Sequence, residues 1–257
     1  MKNKHNQHLA AYQFSCLAVC FFLVAFAACS KHKEALNPVQ ETSSMTDRDG
    51  NVYGTIKIGN QWWMSSSLQV RTYQNGDSVQ VRDSQTLWQD TVAGCCYVSP
   101  GAISSTGLLY NSYAANDVRQ LIPAGWHIPS DAEWQTLEMH LGMSADETSK
   151  VSWRGSNEGD KLKRMKSTQQ PLGAWYDSDN VYPIWPNNES GFSALAGSCR
   201  MFNGAWGNPG LAKMGFWWSS TAHGQDVWYR YLDYNKSKIF RFYGDKRYGF
   251  SIRCVKD

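Results

Sequence analysis

The sequence predicts an α+β fold in one domain, and three observations carry that prediction. One well-capped amphipathic helix stands near residues 131–141. Beyond about Gly173 the helical period fades, and short apolar runs alternate with Gly, Asn and Pro, as strands between turns do. The 257-residue chain, less its N-terminal segment, is long enough for one full core and does not require two.

The first elements lie in "DRDGNVYGTIKIGNQWWM". Asp49, Gly50 and Asn51 form a turn, Val52, Ile56 and Ile58 follow at strand spacing, and Gly59 with Asn60 forms a second turn, so a hairpin is expected. Asp47, Asp49 and Gly50 also suggest a calcium loop. An EF-hand loop starting at Asp47 would need Glu where Ile58 stands, and a glycine at its sixth place, and has neither. No metal or other cofactor is expected. In "IPSDAEWQTLEMHLGM" Ser130 is the N-cap and Glu133 its capping-box partner; Trp134, Leu137 and Leu141 share a face, and Gly142 ends the helix. Asp131 and Glu133 are explained by the cap and the helix dipole, without acid–base chemistry. His127 reads as a structural donor and "KLKRMK", Lys161 to Lys166, as a solvated face. The later runs "SGFSALAGSCRMFNG", "GFWWSS", "DVWYRYLDY", "KIFRFYG" and "YGFSIRCV" read as strands.

The N-terminus has the layout of an export signal: Lys2 and Lys4, an uncharged apolar stretch from about Ala10 to Ala28, then Cys29. "FAAC" resembles a bacterial lipobox, which implies that Cys29 is lipidated, that residues 1–28 are a signal peptide and that the chain is membrane-tethered. Ser30 after the cysteine resembles the pattern of outer-membrane lipoproteins. Residues 29–48 are polar and aperiodic, as a tether would be, and place the domain at 49–257. A net charge of +3 gives no argument for nucleic acid as a partner. Cys95, Cys96, Cys199 and Cys254 remain beyond Cys29. In an oxidising compartment they are disulfide candidates, with Cys254 joined to Cys95 or Cys96 and Cys199 to the other.

Six motifs carry a family resemblance: "DGNVYGTIKIGNQWWM", "GLLYNSYAAND", "PAGWHIPSDAEWQTL", "NESGFSALAG", "GFWWSST" and "YGFSIRCVKD". In this order they resemble the Fibrobacter succinogenes major paralogous domain family, over nearly all of residues 46–257. The resemblance implies a C-type-lectin-like fold, related to that of the formylglycine-generating enzyme, and no catalytic residues. The family is common in lipoproteins of Bacteroidetes and Fibrobacteres. It usually has one cysteine where this chain has Cys95 and Cys96, and Tyr where Cys199 stands, which makes a bridge among these private to this chain. In such a fold the chain ends meet in one sheet, so the last strand is interior, with Phe250, Ile252 and Cys254 alternating with Ser251 and Arg253.

The expected function is a non-catalytic, envelope-anchored binding module for a glycan or a protein. Its ligand-binding candidates are Tyr229, Tyr231, Asp233, Tyr234, Phe240, Phe242 and Tyr243, where aromatic and charged residues interleave. Leu232 marks the packed face of its strand, on which Arg230 needs a partner; Tyr229, Tyr231 and Asp233 take the other face. Trp217, Trp218 and Trp228 read as core. The alternatives are an assembly subunit of an envelope complex, or a formylglycine-generating-like oxidase using Cys95, Cys96 or Cys199. A palmitate analogue fed to cells should label the wild-type chain and not Cys29→Ala; equal labelling of both would overturn the anchor.

Overall fold

Among the residues described by the structure, a computed structural model covering 40–98, 106–164, 175, 186–207 and 213–257, antiparallel strands dominate and helices are short. The expected signal peptide, Cys29 and the start of the tether lie outside these residues. The compact unit that holds the described residues runs from Val39 to Asp257. Among them no helix is long and apolar enough to cross a membrane.

A five-stranded sheet has the order β1 (Thr42–Thr46), β2 (Val52–Ile58), β3 (Gln61–Met64), β11 (Val255–Lys256), β6 (Trp126–His127). A four-stranded sheet has the order β7 (Ser152–Arg154), β10 (Ile239–Gly244), β9 (Asp226–Asp233), β8 (Met214–His223). The strands β4 (Cys95–Tyr97) and β5 (Leu108–Tyr110) pair separately. Among the described residues five helices, α1 (Gln85–Trp88), α2 (Ser112–Ala115), α3 (Asp131–His140), α4 (Ala145–Thr148) and α5 (Glu158–Leu162), lie between strands.

The expected hairpin is present. Ile58 pairs with Gln61 across Gly59 and Asn60, and Gly59 adopts a φ of 60°, which a side chain would strain. The Asp47 that suggested a calcium loop instead organises the preceding turn. Its Oδ1 accepts from the N–H groups of Asp49 and Asn51, and its Oδ2 from the Asn51 amide and the Tyr53 hydroxyl. The domain begins earlier than 49, because Thr42–Thr46 of the expected tether form β1 against β2. That strand escaped the sequence pattern because only Met45 of its five residues is buried. "SGFSALAGSCRMFNG" forms isolated bridges at Ala194, Gly197 and Arg200 rather than a strand.

Helix α3 carries the capping box read from the sequence. Ser130 Oγ accepts from Glu133 N–H at 3.2 Å, and Glu133 Oε2 accepts from Ser130 N–H at 2.7 Å. Trp134 packs 4.9 Å from Trp63 and 5.8 Å from Phe192, the centre of a core cluster that also holds Trp217 and Leu232. A second cluster gathers Tyr53, Cys95, Tyr110, Trp218, Phe250 and Cys254. The described part of the lysine run is not uniformly solvated: Lys163 is fully buried, donating to Asp160 Oδ1 and to the Lys236 carbonyl, and Lys161 donates to the Leu141 carbonyl, while Arg164 is exposed and residues 165 and 166 lie outside the described residues.

The final segment is interior, as expected, but not half-buried. Phe250 through Val255 are all buried, Arg253 included. Only Val255 and Lys256 are regular strand, with Val255 paired to Trp63 on one side and His127 on the other. The disulfide expectation is corrected. Cys95, Cys96, Cys199 and Cys254 are all buried and free. Neighbouring strand residues face opposite ways, so Cys95 joins the Tyr110 cluster while Cys96 packs with Trp88, Val98 and Leu109. Burial raises the Cys95 and Cys199 thiols to about 12.

His127 bridges the two ends of this arrangement. Its Nδ1 lies 2.6 Å from Asp257 Oδ1 and its Nε2 2.8 Å from Glu133 Oε1, so only the imidazolium can donate to both. Burial opposes its charge, but the bonds to Asp257 and Glu133 outweigh burial and raise the pKa above 6.5. The stabilisation is therefore complete below pH 6.5 and is lost as pH rises through the folded-state value. The urea midpoint should fall between about pH 6 and about pH 8, and His127→Gln should flatten that part of the profile. An unchanged slope in the variant would contradict this role.

Candidate functional site

The four-stranded sheet has two unlike faces, and the register of its strands decides which residues share each. Across one face Trp153 of β7 pairs with Phe240 of β10, Phe240 with Tyr231 of β9, and Tyr231 with Phe216 of β8. A second row runs Phe242, Tyr229, Trp218. Side chains two residues apart on a strand point the same way, so all seven rings stand on one face.

Their packing is close. Phe216 and Tyr231 stack with centroids 4.6 Å apart and planes 7° apart. That distance matches the strand spacing of about 4.8 Å, so these two rings stand upright on the sheet and offer edges outward. Trp153 meets Phe240 and Tyr231, both at 5.1 Å. Exposure grades along the face. Trp218 and Phe250 close its inner end at 1% and 2% exposure, Phe216, Tyr229, Tyr231, Phe240 and Trp153 are half-buried, and Phe242 is 36% exposed.

The structure brings together Tyr229, Tyr231, Phe240 and Phe242 of the expected site. It modifies the reading of the first two, because neither projects freely. Tyr229 lies 4.9 Å from the buried Phe250, and burial pushes its phenol above the ordinary range. The Tyr231 hydroxyl donates to Asp233 Oδ2; burial first, and this carboxylate second, raise its pKa. Asp233 is accordingly no free acceptor, since its Oδ1 also takes the Asn235 N–H at 3.0 Å and holds the turn after β9. Tyr234 and Tyr243 lie off the face. Tyr234 packs against the Trp134 cluster with Lys213 over its ring, and Tyr243 meets His223 and Trp228, although its ring also stacks on that of Phe242 with centroids 4.6 Å apart.

Two members of the face were missed. Phe216 belongs to "GFWWSS", where a strand must send Trp217 to one side and Phe216 with Trp218 to the other, so the alternation could have found it. Trp153 has no such signal, because its neighbours on the face are distant in sequence. Trp217 and Trp218 are core as expected, whereas Trp228 is half-buried beneath the Arg241 guanidinium, 3.6 Å from its ring centre.

The opposite face is charged and buried. Arg230 donates to Asp131 Oδ1 at 2.8 Å and to Glu138 Oε1 at 2.6 Å; Arg241 donates to both Asp131 oxygens at 2.9 and 2.7 Å; Arg154 reaches Glu138 at 2.9 Å. Asp131 is thus more than a cap residue: it and Glu138 fasten α3 onto the sheet. Burial alone would raise the Asp131 carboxyl, but Arg241 and Arg230 hold it down at about 2. The partner that Arg230 required is therefore α3. Among the described residues no cluster of three or more His, Cys, Asp or Glu is placed to hold a metal ion.

The fold and this face define an antiparallel α+β domain with one sheet surface fastened to a helix by charge and the other carrying an open-ended aromatic ladder. The chain belongs to the Fibrobacter succinogenes major domain family, whose model matches residues 56–256. No curated protein and no solved structure matches the chain.

Removing one partner of a buried ionic network leaves the others uncompensated, at a cost of about 3–5 kcal/mol. Arg230→Ala should therefore lower unfolding free energy by about that amount in denaturant titrations. A loss below about 1 kcal/mol would show that the network contributes little.

Proposed function

We propose that this chain is a non-catalytic, envelope-anchored binding module, and that its ligand sits on the aromatic face of the four-stranded sheet. One observation carries the reading: seven rings from four strands share a face that is buried at Phe250 and open at Phe242. A core would close both ends. Rigid aromatic anchors give large contact area at little entropic cost, and they are enriched where binding energy concentrates.

Of the two expected ligand classes, a protein surface fits this face better than a glycan. Sugar rings stack on aromatic faces, whereas Phe216 and Tyr231 lie against each other and offer edges. The polar groups that could orient a sugar here, the Tyr231 hydroxyl and Asp233, are spent on one another.

The oxidase alternative needs an activated thiolate. Cys95, Cys96 and Cys199 are instead buried, and desolvation raises all three thiols. The C-type-lectin-like relationship is part of the proposal. It is supported by β11 lying between β3 and β6 in the sheet that also holds β1 and β2, so both ends of the domain meet there. Anchoring through Cys29 rests on the N-terminal sequence.

The test combines a protein array and a glycan array probed with the full chain, followed by titration of the ligand found. Phe242→Ala and Trp153→Ala, with folding confirmed by near-ultraviolet circular dichroism, should each weaken binding by about 1–2 kcal/mol. Ser130→Ala, which touches only the α3 cap, should bind as wild type. Wild-type affinity in both ring variants would reduce the face to a cover.

A further inference from the structure

A separate cleft lies at the other sheet, between the β1–β2 turn, the extended segment after β3 and the end of β4. It has a volume of about 180 Å³ and is lined by Asp49, Asn51, Gln69, Arg71, Tyr97 and Leu108. Pockets for drug-sized ligands span about 300–1,000 Å³, so this one suits a single small ring.

Its walls are held by bonds that use only part of its polar groups. The turn carrying Asp49 and Asn51 is organised by Asp47, through the Asp49 and Asn51 N–H groups and the Asn51 amide. Gln69 is tied down by its backbone N–H, which donates to the buried Tyr53 hydroxyl at 2.9 Å. Arg71 is fixed by its backbone N–H on Asp49 Oδ2 at 2.5 Å, and its Nη1 reaches the Tyr97 hydroxyl at 3.3 Å.

Among the described residues this leaves Asp49 Oδ1 and the Asn51 side-chain carbonyl as acceptors. The Arg71 Nε and Nη2 remain as donors, and the Gln69 amide can act as either. The charges of Asp49 and Arg71 cancel, so the cleft does not select a net ion. Acceptors and donors facing one small volume, beside the Tyr97 ring and the Leu108 side chain, match a ligand whose groups each donate and accept. Hydroxyl groups on an apolar ring do both.

We propose that this cleft is a second binding site, independent of the aromatic face, and that it takes one monosaccharide ring. Asp49 and Asn51 accept from its hydroxyl groups, Arg71 donates to them, and Tyr97 covers the ring. The two sites share no residue.

The test is saturation-transfer NMR on the full chain with glucose, galactose, mannose and N-acetylglucosamine, and with glycine and glutamate as zwitterionic and acidic controls. At least one sugar should bind, with millimolar affinity. Arg71→Ala and Gln69→Ala should each weaken it, Arg71→Ala by about tenfold or more. Arg71 is exposed and Gln69 half-buried, and near-ultraviolet circular dichroism verifies the folding of both variants. Phe242→Ala should leave sugar binding intact, which separates this site from the aromatic face. The proposal is overturned if no sugar binds, if sugar binding survives both cleft substitutions, or if only glycine or glutamate binds. The last result would assign the Asp49 and Arg71 pair to an amino-acid ligand.

Discussion

The segment from Phe250 to Val255 is the constraint on which the other elements depend, because it pairs with every sheet. Phe250 exchanges backbone bonds with Tyr110 of β5, Ser251 bonds to Phe216 and Trp218 of β8, and Cys254 receives the Met64 N–H of β3. Val255 then lies between β3 and β6. A segment in that position has no solvent side, which is why even Arg253 is buried. Its guanidinium donates to the carbonyls of Met64, Phe192 and Ser193 and to Ser67 Oγ, and burial lowers its pKa to about 9. Backbone carbonyls are otherwise hard to satisfy where irregular segments meet. One long cation with several donors satisfies three of them at once. The aromatic crowding near the end of the chain follows from the same placement, since Phe250 supplies the floor of the ring-bearing face.

The same sheet solves two problems on its two sides. On the inner side, three arginines are buried against two carboxylates of α3. An apolar interface of equal size could be as stable. The ionic one has an orientation, and it sets α3 at one register on β9 and β10. On the outer side the rings gain from one another whatever lies beyond them, so the ladder is rigid before any partner arrives. Rigidity established during folding lowers the entropic cost of binding. The charged side thereby serves the aromatic side: it fastens β7, β9 and β10, three of the strands that space the rings, to α3.

The cysteines show how a count of thiols misleads about their pairing. An even number of thiols in an exported chain suggests bridges. Here Cys95, Cys199 and Cys254 share one core cluster and Cys96 lies in another, and each packs unbridged as a small apolar group. Cys95 and Cys96 are separated by the pleat of their own strand, and Cys199 lies against Gly207, whose N–H donates to its carbonyl. Nothing in the count of cysteines carries that information; only the facing of each side chain does.

The sequence by itself determined what depends on near neighbours. The Ser130–Glu133 capping box, the Gly59–Asn60 hairpin, the strands β8 to β10 and the need of Arg230 for a partner were all legible, because each is a relation between residues a few positions apart. Four of the rings on the face were legible for the same reason, through strand alternation. Tertiary structure alone decided the relations between distant segments. Trp153 joins Phe240 because β7 pairs with β10; Asp131 and Glu138 become the partners of Arg154, Arg230 and Arg241; Thr42–Thr46 become a strand only because β2 offers it an edge. A period along the chain reports which way a side chain points. What it meets there depends on strand order, and strand order is set by the packing of the whole core.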